Sequence, residues 1–562
     1  MITGPGRTRH GIFILLRRLH LPLAVLVLVY AAAVLGFTLV PGVDPRGQPW
    51  RMGFLHAFYF VSFLGSTIGL GEIPYPFSDA QRLWTTAAIY ATVLSWLYAI
   101  GALFNVLQDP LFRRIAHENQ VTRAVRRLRE PFHLIYGYAD AGSRIARELC
   151  EDGSRIVVID IEPMRADTVD VEDLSITVPA LVGDASDPKT LPLAGLQHPL
   201  CAGVLALTGD DQVNIKIALT ARLLAPDLPV LSAVRDHAAH ACMAAAGADP
   251  LIYPNDTFAG RVALSLRTPS LHVIYEALTT QRGTTMDDVP QLPRGRWVIC
   301  GFDLFARALR RQLTRLEVET LIVDTQLDDS CDENNNVRGD PSDPAVLRRA
   351  GVETASAVVA CTLVDIDKLA ITLAAPGMNK QAFIAERQTQ RRNAVVFRAA
   401  PADLVVLSGY VVAAEVLRVI RAPQLGGFLR QARAQDEAWA ADLLERMRLH
   451  IGAGVVESWS IEFSAEAAPA VQRAWSDGEQ VTLGRLLALT QAQGEAAHAV
   501  PLLLKREPQR SLLPSEDTLL AERDHLLFCG RAQTRAYMRH LIALPSLPVL
   551  EIAEASSTQE SD

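Results

Sequence analysis

Two long apolar runs without charged side chains lie near the start of the chain. The first covers residues 21–40 and the second covers residues 83–108. Each is long enough for the roughly 20 residues that a helix needs to cross the hydrocarbon core of a bilayer. The pattern therefore predicts an outer and an inner membrane-spanning helix, preceded by a cytoplasmic or interfacial segment over residues 1–20.

A shorter apolar and aromatic run, residues 52–64, lies between the two spans. It is too short to cross a bilayer, and its length fits a re-entrant helix. Segment 66–72 follows directly, with the sequence Ser-Thr-Ile-Gly-Leu-Gly-Glu. Non-helical backbone at membrane depth is tolerated only where protein buries it or where it lines a water-filled path. Its two glycines allow successive carbonyls to point the same way, and a ring of such carbonyls replaces the water around a bare cation.

Basic residues flank both spans and predict their orientation. Arginines 7, 9, 17 and 18 precede the first span, and six more arginines lie between residues 113 and 129, after the second span. The positive-inside rule therefore places both ends of the membrane segment in the cytoplasm. A cleaved signal peptide is the alternative for the first run, but its apolar part is long for that purpose and a second span follows.

The order of span, short pore helix, Thr-x-Gly-x-Gly and span resembles the pore unit of tetrameric potassium channels. Leu70 replaces the tyrosine whose hydroxyl usually ties the filter to the pore helices, and Glu72 replaces the aspartate that ends the usual motif. A non-selective or sodium-permeable channel of the same architecture is therefore the alternative to a potassium channel. The resemblance implies a selectivity filter that binds K⁺ at backbone carbonyls, formed by Thr67, Ile68, Gly69, Leu70, Gly71 and Glu72.

Two residues near the cytoplasmic end of the second span are candidates for a gate. Gly101 either bends this helix or allows close packing, and Asn105 either faces the pore or pairs between helices. The sequence leaves both alternatives open. Neither span carries a regular series of arginines, so we expect no voltage sensor.

From residue 132 the pattern changes to short continuous apolar strands that alternate with helices, as in a buried parallel sheet. Gly137, Ala139 and Gly142 occupy the three positions of a G-x-G-x-x-G turn, with alanine in place of the middle glycine. Asp160 ends the next strand, where a carboxylate binds an adenosine ribose hydroxyl and favours NAD over NADP. Asp140 lies inside the turn and disfavours a phosphate there. The alternative is a turn that only connects a strand to a helix.

The same pattern occurs a second time. Gly301 and Asp324 repeat the first glycine and the strand-end acid of the first copy, both at an offset of 164 residues. A repeat of this extent predicts a duplicated α/β domain. Asp303 and Ala306 replace two of the glycines in the second copy, so we expect a nucleotide in the first copy only.

The two copies together resemble tandem RCK domains, the TrkA-N-like regulators of potassium conductance. The resemblance implies that helices within residues 256–290 pack against a neighbouring subunit. It also implies a regulatory site for NAD, NADH or another adenine nucleotide, formed by Gly137, Tyr138, Ala139, Gly142, Asp160, Gly183, Asp184, Ala185, Thr208 and Asp210.

The predicted fold is a membrane α-helical pore domain followed by two α/β Rossmann-like RCK domains and a small α+β C-terminal lobe. The expected divisions are the segment 1–20, the pore domain 21–108, a linker 109–131, the RCK domains 132–290 and 295–450, the lobe 451–550 and a disordered tail 551–562.

Composition narrows the function further. A net charge of −8 argues against nucleic acid as a partner. The seven cysteines show no paired or metal-ligand spacing, which indicates reduced thiols in a cytosolic region. An acidic loop gives a weak calcium candidate, because flexible oxygen ligands suit this ion; its residues are Asp328, Asp329, Asp332 and Glu333.

No catalytic constellation is evident in the sequence, so we expect a channel and not an enzyme. The less favoured alternatives are a membrane-anchored NAD-dependent oxidoreductase and a nucleotide-binding subunit that conducts nothing itself. The expected partners are three further copies of the chain, the bilayer of the cell's inner membrane and a nucleotide effector.

Overall fold

The computed structural model describes residues 6–66, 68, 71–279, 285–287, 289–327, 336–452, 454–491 and 498–548. The chain divides into two compact units, Met1–Leu128 and Arg129–Asp562. Within the described residues, the six cysteines are all free thiols.

The first unit is built around helices with a short hairpin between them. Two of the helices contain stretches long and apolar enough to cross a membrane, Leu19–Leu39 and Asp79–Gln108. The elements are α1 (Gly6–Leu39), β1 (Pro41–Val43), β2 (Pro49–Arg51), α2 (Phe54–Gly65), α3 (Asp79–Gln108) and α4 (Pro110–Arg126).

The helix bounds differ from the expected spans at three points. Helix α1 begins before the first apolar run, and α4 occupies most of the stretch that was expected to be a linker. Helix α3 begins four residues before its apolar run because Ser78 and Gln81 form a capping box at its N-terminus. Such a box satisfies two backbone N–H groups that the first turn would otherwise leave without partners.

Around helix α2, the first unit packs through aromatic rings. Phe60 of α2 contacts Phe37 of α1 and Phe77 of the following loop, in each case with 4.9 Å between ring centroids. Trp84 of α3 donates from its indole nitrogen to the carbonyl of Ala33 at 3.1 Å. A side chain at Gly36 would collide with this indole. Glycine therefore lets α1 and α3 approach closely beside the short helix.

The second unit begins with a six-stranded, fully parallel sheet in the order β5-β4-β3-β6-β7-β8. This is the order of a doubly wound sheet, in which ligands bind at the carboxyl ends of the central strands. Its strands are β3 (Phe132–Tyr136), β4 (Arg155–Asp160), β5 (Ala180–Val182), β6 (Cys201–Ala206), β7 (Val230–Ala233) and β8 (Leu251–Ile252). Its helices are α5 (Asp140–Glu151), α6 (Pro163–Val171), α7 (Thr190–Leu193), α8 (Asp211–Leu224) and α9 (His240–Ala245).

A second parallel sheet repeats this order as β11-β10-β9-β12-β13-β14. The duplication expected from the sequence is therefore present in the fold. The strands are β9 (Trp297–Cys300), β10 (Thr320–Asp324), β11 (Asn336–Arg338), β12 (Ala357–Ala360), β13 (Phe383–Gln388) and β14 (Leu404–Leu407). The helices are α12 (Leu304–Arg315), α13 (Pro344–Arg349), α14 (Asp365–Met378) and α15 (Ala394–Ala399).

Each copy ends in a pair of helices that is broken by a proline. The first pair is α10 (Pro254–Arg267) and α11 (Pro269–Thr279), and the second is α16 (Ser408–Arg421) and α17 (Pro423–Ala432). In each case proline is the first residue of the second helix, where its missing N–H costs nothing.

The copies exchange the first helix of each pair. Helix α10 leaves the first sheet and packs on α12 of the second copy, with Phe258 and Phe305 stacked at 5.1 Å between ring centroids. Helix α16 leaves the second sheet and packs on α5 of the first copy, and Arg421 binds Glu148 there at 3.0 Å. The resemblance implied packing of the first helix pair against another subunit, whereas α10 packs against the second copy of its own chain.

The C-terminal lobe is an antiparallel sheet in the order β15-β18-β16-β17, flanked by helices. Residues alternate between its faces: Leu527 and Cys529 of β18 join a core with α11, α17 and α18, whereas Leu526 and Phe528 join the opposite core. Helix α18 therefore packs with this lobe. The elements are α18 (Glu437–Ile451), β15 (Glu457–Glu462), α19 (Pro469–Ser476), α20 (Leu483–Gln491), β16 (Ala499–Arg506), β17 (Gln509–Leu512), β18 (His525–Gly530) and α21 (Ala532–Ala543).

Candidate functional site

The expected selectivity filter follows the C-terminus of α2. Thr67, Gly69 and Leu70 lie outside the described residues. The Ile68 N–H donates to the carbonyl of Phe63 at 3.2 Å, so the chain leaves the helix in a tight turn. Gly71 has a φ of +90°, a backbone conformation that favours glycine.

Glu72 ties the end of the expected filter to the inner helix. Its carboxylate accepts hydrogen bonds from Nε of Arg82 at 2.9 Å and from the backbone N–H of Phe77 at 2.8 Å. Sequence reasoning treated Glu72 only as a departure from the usual motif and missed Arg82. The available signal was the lone arginine directly before the second apolar run.

Both gate candidates lie on an unbroken α3. Gly101 and Asn105 are exposed within the single chain, and a side chain added at Gly101 would meet no atom within 4 Å. Close packing inside one chain therefore does not require this glycine.

The glycine turn of the first copy brings strand β3 and helix α5 close together. Gly137 has a φ of +97°, and a Cβ atom there would lie 2.9 Å from the carbonyl oxygen of Leu207. A Cβ atom at Gly142 would lie 2.0 Å from the carbonyl oxygen of Gly137. Ala139 is the N-cap residue of α5, and its side chain accepts no hydrogen bond from the first backbone N–H groups of the helix. The helix N-terminus, where phosphate groups bind in such folds, is therefore not capped by its own sequence.

Asp160 is 4 % exposed, and its carboxylate stabilises the glycine turn through backbone hydrogen bonds. Its carboxylate accepts the backbone N–H of Tyr138 at 2.6 Å and that of Glu162 at 2.8 Å. Arg165 lies 3.9 Å from the same carboxylate. A carboxylate has about four lone-pair positions, so these contacts still allow it to accept a ribose hydroxyl.

Gly183, Asp184 and Ala185 follow β5 at the same end of the sheet. The Gly183 N–H donates to the carbonyl of Asp160 at 2.9 Å, which sets the two strand ends side by side. Hydrogen bonds from Ser186 lower the pKa of the Asp184 carboxyl.

Thr208 and Asp210 follow β6 and surround Asn214, which sequence reasoning missed. The Asn214 side chain is fully buried, accepts from the Thr208 hydroxyl at 2.6 Å and donates to the carbonyl of Ala233 at 3.0 Å. Asp210 caps α8 by accepting the N–H of Gln212. Asn214 thus fixes the loop at the edge of the expected site.

The corresponding turn of the second copy is closed by its own side chains. Asp303 accepts the N–H groups of Phe305 and Ala306, both at 3.0 Å, and also pairs with Arg387. A carboxylate therefore already lies at the N-terminus of α12. Asp324 repeats the backbone contacts of Asp160, with the N–H of Phe302 at 2.8 Å.

A cleft of about 500 Å³ opens on the first copy's turn. Tyr138, Ala139 and Asp140 are in its lining. The volume falls within the range of about 300–1,000 Å³ that is usual for small-molecule sites.

The calcium candidates Asp328, Asp329, Asp332 and Glu333 lie outside the described residues. Among the residues that the structure does describe, no group of three His, Cys, Asp or Glu side chains could hold a metal ion.

Comparison with known proteins identifies the same parts. An ion channel family model matches residues 24–109, and a TrkA-N domain model matches residues 133–254 and 297–408. The chain is 26 % identical over 196 residues to the voltage-gated potassium channel Kch of Escherichia coli. This match covers 35 % of this chain and 44 % of Kch. It is 24 % identical over 201 residues to potassium channel protein 1 of Methanocaldococcus jannaschii. This second match covers 36 % of this chain and 59 % of that protein. The chain thus spans about half the length of these relatives.

Similar solved structures include one described as the GsuK channel bound to NAD. It is 16 % identical, with a TM-score of 0.43, and the match covers 95 % of this chain and all of that one. A structure of GsuK bound to ADP is 20 % identical, with a TM-score of 0.41, and covers 73 % of this chain and 99 % of that one. The family models, together with the two membrane-length helices and the repeated sheet of this chain, confirm the resemblance: the chain joins an ion channel domain to tandem TrkA-N, or RCK, domains.

Proposed function

We propose that the protein is a tetrameric, potassium-selective channel in the inner cell membrane, gated by a nucleotide that binds its cytoplasmic RCK domains. The observation that carries this proposal is the match of an ion channel domain to residues 24–109, followed by two TrkA-N domains. Four chains are needed because a two-span subunit supplies only a quarter of a carbonyl ring. The arginines that flank the spans support cytoplasmic placement of both ends.

The filter would bind dehydrated K⁺ through the carbonyls of segment 67–71. Leu70 removes the tyrosine hydroxyl that usually supports such a filter. The ion pair between Glu72 and Arg82 provides a different support, from the inner helix to the filter's outer end. A cation channel with relaxed selectivity is the second candidate, favoured by Leu70.

The regulatory nucleotide would bind the first copy. Its uncapped α5 and its cleft support this assignment, whereas Asp303 already caps α12 in the second copy. Asp160 would accept a ribose hydroxyl, and the phosphates would lie at the N-terminus of α5. Eight such α/β domains would form a ring in the tetramer. The nucleotide would act by binding one shape of this ring more tightly, since a ligand shifts an equilibrium only by its differential affinity.

The direct test is the reversal potential of the purified channel in planar bilayers. Potassium bathes one side and sodium the other, with and without NADH on the cytoplasmic face. We expect reversal near the potassium equilibrium value and a current that changes with NADH. Reversal near zero would favour the relaxed channel. Gly69→Ala should abolish the current without preventing assembly, whereas Gly53→Ala, which adds a Cβ atom into open space, should preserve it.

A further inference from the structure

The cleft beside the first copy's turn has a wall from the second copy. On one side lie residues 138–140 and Ser143 of the turn and of α5. On the other side lie Thr389, Gln390 and Arg392, from the loop that follows β13. A ligand bound to the first copy would therefore also face the second copy.

A buried ion pair holds the second-copy loop in place. The carboxylate of Asp365 accepts the backbone N–H of Thr389 at 3.1 Å and the side-chain amide of Asn393 at 2.7 Å. Lys368, whose side chain is fully buried, donates to Asp365 at 2.8 Å and to the hydroxyl of Thr389. A buried ion pair is maintained only when hydrogen bonds also satisfy its other polar atoms, and this one meets that condition through the loop. The loop thus has a defined position.

Arg392 is an exposed cation at the end of this loop. Its Nε donates to the side-chain oxygen of Gln390 at 2.7 Å, which restrains the guanidinium. A guanidinium presents five N–H donors, so one bond to Gln390 leaves further donors available to a ligand.

The first copy alone offers phosphates a poor balance of charge. The charged side chains that it contributes to the cleft lining are the acids Asp140 and Glu172 and the cation Arg165. Arg165 is already paired with Glu162 at 2.9 Å, and the Glu172 carboxylate is paired with Arg147 at 3.5 Å. A diphosphate at the N-terminus of α5 therefore needs positive charge from elsewhere, and Arg392 is the cation that the second copy brings to the lining.

We propose that Arg392 completes the nucleotide site of the first copy by contacting the ligand's diphosphate. The ligand class is an adenine nucleotide with two or more linked phosphates. This inference rests on the proposed nucleotide regulation and deepens it, because a single nucleotide would then contact both copies. The second copy, whose own turn is closed by Asp303, would then respond to the nucleotide of the first.

The test compares Arg392→Gln with Arg398→Gln in the full-length channel in lipid nanodiscs. Arg398 is an exposed arginine of α15 outside the cleft lining, so its variant controls for the loss of one positive charge. Binding of NADH is followed by its fluorescence, and ADP and adenosine are used as competitors. Arg392→Gln should weaken the binding of ADP and of NADH at least tenfold, because it removes a hydrogen bond between two charged groups. The affinity for adenosine, which has no phosphate, should change less than about twofold, because only a phosphate contact is lost.

Each other outcome has a distinct meaning. Unchanged ADP affinity in Arg392→Gln, with normal binding by the unmodified channel, would overturn the inference and leave nucleotide regulation standing. An equal loss of ADP affinity in Arg398→Gln would also overturn the inference, and so would an equal loss of adenosine affinity in Arg392→Gln. Neither result would reflect a phosphate contact of Arg392. If the unmodified channel binds neither ADP nor NADH, the proposed regulation fails, and the inference fails with it.

Discussion

Replacing Ala139 with aspartate would give the first copy the helix cap of the second. In the second copy, the Asp303 carboxylate accepts two backbone N–H groups of α12, both at 3.0 Å. Ala139 stands at the equivalent N-cap position of α5 and has no side-chain oxygen to do this. The substitution therefore places a negative charge where we expect the nucleotide phosphates.

The two expected effects have opposite signs. An aspartate cap in place of alanine stabilises a helix by about 1 kcal/mol, so the first copy should unfold at the same or a higher temperature. The same carboxylate about 4 Å from a phosphate costs about 4 kcal/mol at an effective dielectric constant of about 20. Solvent reduces this repulsion. We therefore expect ADP and NADH affinity to fall at least about 100-fold, which corresponds to about 2.7 kcal/mol.

Calorimetric binding and thermal unfolding of the full channel check both effects in one preparation. Ala139→Asn is the matched control, because asparagine caps a helix as well as aspartate does but carries no charge. It should lose much less affinity than Ala139→Asp. Unchanged nucleotide affinity in a well-folded Ala139→Asp channel would refute the placement of phosphates at α5. A loss of affinity together with a lower unfolding temperature would show damage to the fold instead.

The remaining predictions concern three other places. Glu72→Gln and Arg82→Gln should each lower potassium selectivity in bilayer recordings, and exchanging the two residues should restore part of it if their ion pair supports the filter. Tyr275→Phe should lower the free energy of unfolding by about 1.5–3 kcal/mol in denaturant titrations, because it removes a buried 2.6 Å hydrogen bond to Glu415. Burial lowers the pKa of His272, so the folded state keeps this imidazole neutral while the unfolded chain takes up a proton below about pH 6.5. Stability should therefore fall as the pH drops from 7.5 to 5.5, and it should fall less in His272→Gln.

Spacing along the chain was sufficient to predict the larger architecture. The offset of 164 residues between Gly137 and Gly301 marks two copies that have the same strand order. Apolar run lengths predicted two spans and the short helix between them. They did not give the start of α3, because a capping box of polar residues extends the helix beyond its apolar run.

Partners within the candidate site could not be predicted in the same way. Asp160 was expected to bind ribose from its position alone, yet in both copies the strand-end carboxylate also holds the backbone of its own turn. A carboxylate gives the same sequence signal in either role. For α10, the resemblance implied packing against a neighbouring subunit, and the sequence did not show that this helix packs on α12 of its own chain. Arg392 is far from the glycine turn in sequence, and only the fold brings them together.

The exchange of helices α10 and α16 has a consequence for how the protein is made. The apolar core of the first sheet includes Val412, Val416 and Leu417 of α16, so it cannot close until the ribosome has released almost all of the second copy. Nascent chains generally fold domain by domain from the N-terminus. Here the apolar face of the first copy remains exposed to solvent until α16 has been synthesised. A chain truncated between the copies would keep that face exposed permanently. The two copies therefore mature together as one unit, and a defect in the second copy is also a defect in the first.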